Sequence, residues 1–149
     1  MRMDLGVKAR FFAHLHGGGD PDSERVYRWH IDKRRGANAA QGIGMDAGKV
    51  DTDDYVTAAK ALARSMAAKG FDRRFPIPID KHGNLMGGAH RTACAIALDC
   101  DAWVQVRPGA AWAPQWGRQW FIDNGMESDD QYALQVYWDK LCARRGYGD

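Results

Sequence analysis

In DTDDYVTAAKALARSMAAKGF, the apolar residues Tyr55, Val56, Ala59, Leu62, Ala63 and Met66 recur at the spacing of one helical face. Asp51 or Thr52 is placed to cap this helix and Gly70 to stop it. Upstream, SERVYRWHIDKRRG predicts a second helix from Ser23 to Gly36, with Asp22 or Ser23 as cap, Glu24 at its positive end and Gly36 as its stop. Between the two, Ala37 to Val50 has small residues and no sustained period, and reads as a loop. The opening GVKARFFAHLHGGGDPD carries Phe11, Phe12 and Leu15 but is too short before its three glycines for the pattern to choose between helix and strand.

The pattern changes after Gly70. FPIPID cannot be helical, because Pro76 and Pro78 have no backbone N–H, and it suits a strand at a sheet edge. DKHGN is a turn and LMG a short extended piece. A small-residue helix then runs from His90 to Leu98, and AWVQV, Ala102 to Val106, is a further strand ended by Pro108. A short helix is predicted from near Pro114 to Gly125, and a last one from Ser128, with Leu134, Tyr137, Trp138 and Leu141 on one stripe. The fold class expected is α+β, a single small mixed sheet flanked by helices, forming one domain over residues 1–149 with a Trp-rich helical extension at its C-terminal end.

A chain of 149 residues is the size of one domain, and 45% apolar with 27% charged residues is ordinary for a globular protein. The net charge of +2 is too small to mark a dedicated nucleic-acid binder, although the runs DKRRG and DRRF are placed to meet phosphates if they are not merely solvated. Three cysteines without a CxxC pair fit a reducing compartment, and no apolar run has the length of a signal peptide or membrane span. A cytoplasmic location is the expectation.

The chemistry concentrates where strand passes to helix, in NLMGGAHRTACAIAL. The first turn of a helix presents unpartnered N–H groups and partial positive charge, which together welcome an anion. Gly87 and Gly88 let the backbone approach a ligand, and His90 and Arg91 add donors on that first turn, with Arg91 offering a planar fork to phosphate oxygens. The spacing is not that of a Walker loop, so a local turn with a surface arginine is the alternative reading of the same residues.

Residues 66–106, through SMAAKGFDRRFPIPIDKHGNLMGGAHRTACAIAL, resemble the ParB/sulfiredoxin superfamily, in which a Pro-Ile strand and turn lead to a Gly-x-His-Arg joint opening a helix. The resemblance implies a nucleotide held at Gly87, Gly88, Ala89, His90, Arg91 and Thr92. The sulfiredoxin branch reads Gly-Gly-Cys-His-Arg there. In this chain the cysteine position is Ala89, which rules out attack on sulfur or phosphorus by that residue. The branch with free serine kinases often has an acidic residue at the position of Gly87. YRWHIDKRRG, containing His30, also resembles the N-terminal part of ParB-like proteins of bacterial surface-polysaccharide pathways.

From these residues the expected activity is an ATP-dependent phosphotransferase acting on a hydroxyl compound such as a sugar or sugar derivative, with ATP or another nucleoside triphosphate and Mg2+ as cofactors. Candidate catalytic residues are Asp80, His90 and His30, with Glu24 a further base. No dedicated protein metal site is expected: His14 and His16 bracket Leu15 without a carboxylate or cysteine beside them. The alternatives are a ParB-like nucleotide switch or DNA-associated module, although no helix-turn-helix follows the joint, and a degenerate nucleotide-binding domain. Partners are the nucleotide and a small acceptor, with nucleic acid a lesser expectation and no membrane. Trp116, Trp120 and Phe121 are expected either to pack on the sheet or to form an aromatic wall for a base or sugar.

Overall fold

The computed structural model describes residues 2–44, 46–111 and 116–144. The N-terminal segment that the sequence left open is a helix, α1 (Met3–Ala13), and it runs through the middle of the molecule. Met3, Val7, Ala9, Phe11 and Phe12 are all buried, so its apolar residues point in every direction. A helix covered on all sides has no polar face and hence no period to read. A wide turn of π-helical type, His14–Gly18, follows, and Gly19 at φ 65° reverses the chain. The turn is pinned by the Asp20 N–H, which donates to His14 Nδ1 at 3.1 Å, and by Arg10, whose Nε donates to Asp20 at 2.6 Å.

α2 (Asp22–Ala40) turns Val26, Tyr27, His30 and Ile31 inward, and Tyr27 stacks on Phe11 with ring centroids 4.5 Å apart. It does not stop at Gly36. One glycine inside a helix costs about 1 kcal/mol relative to alanine, and Ala37, Ala39 and Ala40 beyond it favour continuation, so the start of the expected loop is helical. α3 (Thr52–Lys69) begins as predicted: Asp51 accepts from the Asp54 N–H while the Asp54 carboxylate accepts from the Asp51 N–H. Gly70 ends it.

The sheet is smaller than the predicted mixed sheet. β1 (Ile77–Ile79) leads through a turn to α4 (Ala89–Leu98) and on to β2 (Val104–Val106), which pairs with β1 in parallel, Ile77 opposite Val104 and Ile79 opposite Val106. The extended piece at LMG contributes one antiparallel bridge, Leu85 to Ile79, and the Met86 N–H donates to the Pro78 carbonyl at 2.9 Å. The whole is a mostly helical α+β fold in which a βαβ unit delivers the start of α4 to the surface.

α5 (Arg118–Asp123) is shorter than predicted, and the Pro114 start assigned to it lies outside the described residues. α6 (Ser128–Arg144) starts where expected and buries Leu134 of the predicted stripe against α1. The two helices meet at Gly6, where a Cβ would stand 3.0 Å from Leu134 Cδ1 and 3.7 Å from Trp138. α1 therefore packs against α4, α2, α6 and α3. No helix among the described residues is long and apolar enough to cross a membrane.

Candidate functional site

The parallel crossover fixes where α4 begins. Gly88 precedes it at φ 73°, a left-handed conformation that costs other residues about 1–2 kcal/mol, and this lets the chain turn sharply from the Leu85 bridge into the helix. The Thr92 N–H and hydroxyl both donate to the Gly88 carbonyl, at 2.9 and 3.0 Å. The amides of Ala89, His90 and Arg91 meet no acceptor among the described residues.

Against this joint lies a cleft of about 310 Å3. Its walls include Gly87 and Ala89, together with Arg2 from the start of α1, Arg34 and Asn38 from α2, Asp46 from the following loop, and Trp116. Arg2 is held by Asp4, and Arg34 donates through Nη2 to Asp46 at 3.1 Å. Lys8 is buried and donates to the same Asp4 carboxylate at 3.0 Å. Burial pushes the Asp4 carboxyl up, but Lys8 and Arg2 outweigh it and hold it well below the usual carboxylate range. Burial draws the Lys8 ammonium below its ordinary value, and Asp4 opposes that shift.

The residues expected from the sequence divide. Gly87, Gly88 and Ala89 form the joint as expected, with Gly87 and Ala89 on the cleft wall. Arg91 does not line the cleft. Its Nη1 donates to the Phe75 carbonyl and, at 3.4 Å, to the Pro76 carbonyl, so one arm of the phosphate fork expected of it is engaged by the backbone just before β1. Thr92 spends its hydroxyl proton on Gly88.

His90 is turned toward the core, with Nε2 2.9 Å from the Tyr27 hydroxyl and the two rings edge to face. It borders a smaller hollow of about 110 Å3 that Lys49, Tyr55 and Leu62 also line. Burial, with Lys8, Arg34 and Lys49 adding repulsion, holds its pKa well below the ordinary histidine value, and the ring is neutral at pH 7. His30 is sealed, with no exposed surface, stacked on Phe121 at 5.0 Å and edge-on to Trp116 and Trp120 at 6.0 and 5.8 Å. Neither ring nitrogen has a partner among the described residues, and burial first, then Lys8, keeps it neutral. His30 adjoins the cleft through Trp116. The aromatic group thus packs on α2 rather than on the sheet.

Asp80, proposed as a base, is closed on its own turn. Its carboxylate accepts from the backbone N–H of His82, Asn84 and Ala111, at 2.9, 2.9 and 3.1 Å, and from the Asn84 side chain at 3.0 Å. These donors, the Asn84 side chain foremost, hold its pKa well below the carboxylate range. Glu24 pairs with Arg28 and Lys60 and is not a wall of the cleft. Of the two basic runs, DKRRG supplies Arg34 to the cleft, while in DRRF Arg73 lies over Trp103 at 4.2 Å and Arg74 pairs with Asp72.

Arg2 and Asp46 were not singled out by sequence, since nothing in their local pattern ties them to residues some 40 to 85 positions away. The cleft thus brings together the Ala89 end of a helix start, two guanidinium groups, Arg2 and Arg34, and the Trp116 ring, groups of the kind that suit an anion. For Mg2+, the cleft supplies one carboxylate, Asp46, and no group of three or more His, Cys, Asp or Glu is arranged for a metal among the described residues. This suits an ion carried in mainly by phosphate oxygens and water. No protein-family model, no curated protein and no solved structure matches the chain.

Proposed function

We propose that the chain binds a nucleoside triphosphate by its phosphates in the cleft at the start of α4 and transfers a phosphoryl group to a small hydroxyl compound. The observation that carries the reading is that the start of α4 at Ala89 shares one concave surface with the guanidinium groups of Arg2 and Arg34. Such donors stabilise spread negative charge, and phosphoryl transfer asks a protein for little more than that and correct placement. Trp116 offers its ring to a base or sugar at the edge. Asp46 is the carboxylate on the cleft wall that would hold a nucleotide-bound Mg2+, which would supply charge neutralisation at the phosphates, or that would orient the acceptor hydroxyl. Asp80 and His90 have structural roles here, and His30 supports Trp116 from below.

A nucleotide switch is the second reading, favoured by one feature. Asp46 ties the loop after α2 to Arg34 and, at 3.9 Å, to Lys49, so a phosphate that takes Arg34 competes with the loop's own carboxylate. Thermal shift with ATP, CTP and ADP, with and without Mg2+, tests the shared part of both readings. Binding to the folded form raises the melting temperature, and no rise with any nucleotide rejects both. ADP release in the presence of pooled sugars, inositols and hydroxy amino acids separates them: a kinase turns ATP over when its acceptor is present, and a switch does not.

A further inference from the structure

The cleft's most elaborate support lies on α1. Arg2 reaches the cleft from the very start of the helix, a place where a long side chain ordinarily samples many rotamers. It does not do so here. Nε donates to Asp4 Oδ1 at 3.0 Å and Nη2 to Asp4 Oδ2 at 2.9 Å, a two-point fork that fixes the plane of the guanidinium and leaves Nη1 uncommitted among the described residues. Asp4 is 2% exposed, and its Oδ2 also takes a hydrogen bond from Lys8, itself 1% exposed.

Burying a carboxylate and an ammonium costs several kcal/mol per ion, and an apolar pair of similar volume is commonly as stable or more so. The pair therefore needs a reason other than stability. Its position supplies one: the same carboxylate that balances Lys8 is the seat of the arginine on the cleft wall. The three side chains together carry one net positive charge.

We propose that Asp4 and Lys8 are positioning residues that preorganise Arg2 as a phosphate-gripping arm, making the cleft a site for polyphosphate groups. This rests on the phosphate-binding reading above and adds which residues set its affinity. Lys8 holds Asp4 in its buried place, Asp4 fixes the Arg2 plane, and the entropy of ordering a long arginine is met on folding rather than on binding.

The test compares binding of inorganic tripolyphosphate and of ATP by the full chain at constant ionic strength, using titration calorimetry. Arg2→Ala is expected to weaken both by about tenfold, the size of one lost charged hydrogen bond. Arg2→Lys recovers only part, because an ammonium cannot use the Asp4 fork. The decisive variant replaces the buried pair by apolar residues, Asp4→Leu with Lys8→Met, which keeps the helix packed and avoids stranding either charge. Folding of this variant is checked by its melting curve. It is expected to melt at or above the wild-type temperature and yet bind tripolyphosphate about tenfold more weakly, with no further loss when Arg2→Ala is added. Unchanged binding in the apolar double variant, or a further loss on adding Arg2→Ala as large as in the wild type, overturns the inference and leaves the phosphate site standing. Absence of binding by the wild type overturns both. Should the double variant not fold, Arg2→Lys decides alone: affinity equal to wild type shows that the fork carries nothing.

Discussion

Asp80 shows how one residue can look catalytic in a sequence and be structural in a fold. A carboxylate at the end of a strand beside a glycine-rich joint is where an acceptor base belongs, but four N–H donors surround this one. A carboxylate so engaged is a poor base, because every donor stabilises its charged form. The consequence is a stability that depends on pH. With its folded pKa depressed, Asp80 contributes fully above the unfolded carboxyl value of about 3.9, and the contribution is lost as pH falls through the lower folded value. Asp80→Ala is therefore expected to melt below the wild type by a constant interval between about pH 5 and pH 8, an interval that narrows below about pH 4. Melting curves across that range check it. A gap that widens in acid removes the assignment.

At the scale of elements, α3 is the case where sequence and structure coincide, because every local signal agreed: the period, the cap and the stop. Asp51→Ala removes one arm of the capping box and is expected to cost about 1 kcal/mol, lowering the melting temperature by roughly 2–4 °C. Thr52→Ser, one residue inside the helix, serves as the control with little change. α4 and α6 were legible for similar reasons. The end of α2 was not, since Gly36 looked like a stop and the alanines beyond it have no amphipathic pattern. The site followed the same rule. Its joint could be read because Gly87, Gly88 and Ala89 are contiguous, whereas Arg2, Arg34 and Asp46 belong to it only through the packing of α1 and α2 on α4. The fate of Arg91 depended on a carbonyl sixteen residues earlier being available to it, which no spacing rule announces.

The whole molecule is organised by the helix that was hardest to read. Two short strands, three residues each, make too little sheet to be a core, and the side chains of Val104 and Val106 on β2 stay exposed. What joins the parts is α1, which touches α2, α3, α4 and α6 and places Phe11 and Phe12 at zero exposure between them. Cutting Phe12 to alanine leaves a cavity that helices held from several sides cannot easily close, so the cost is expected at about 3–5 kcal/mol. Domains of this size are stable by about 5–15 kcal/mol, so the variant should melt roughly 10 °C lower and remain folded at room temperature. The same geometry sets the form of the transition. Trp29 and Trp120 report on the aromatic group around His30, while far-ultraviolet circular dichroism reports on all the helices. If α1 unites them, fluorescence and dichroism must give one midpoint in the wild type and one lower midpoint in Phe12→Ala, moving together. Midpoints that separate would mean that the α2 and α5 contact melts as its own unit and that α1 is not the common core.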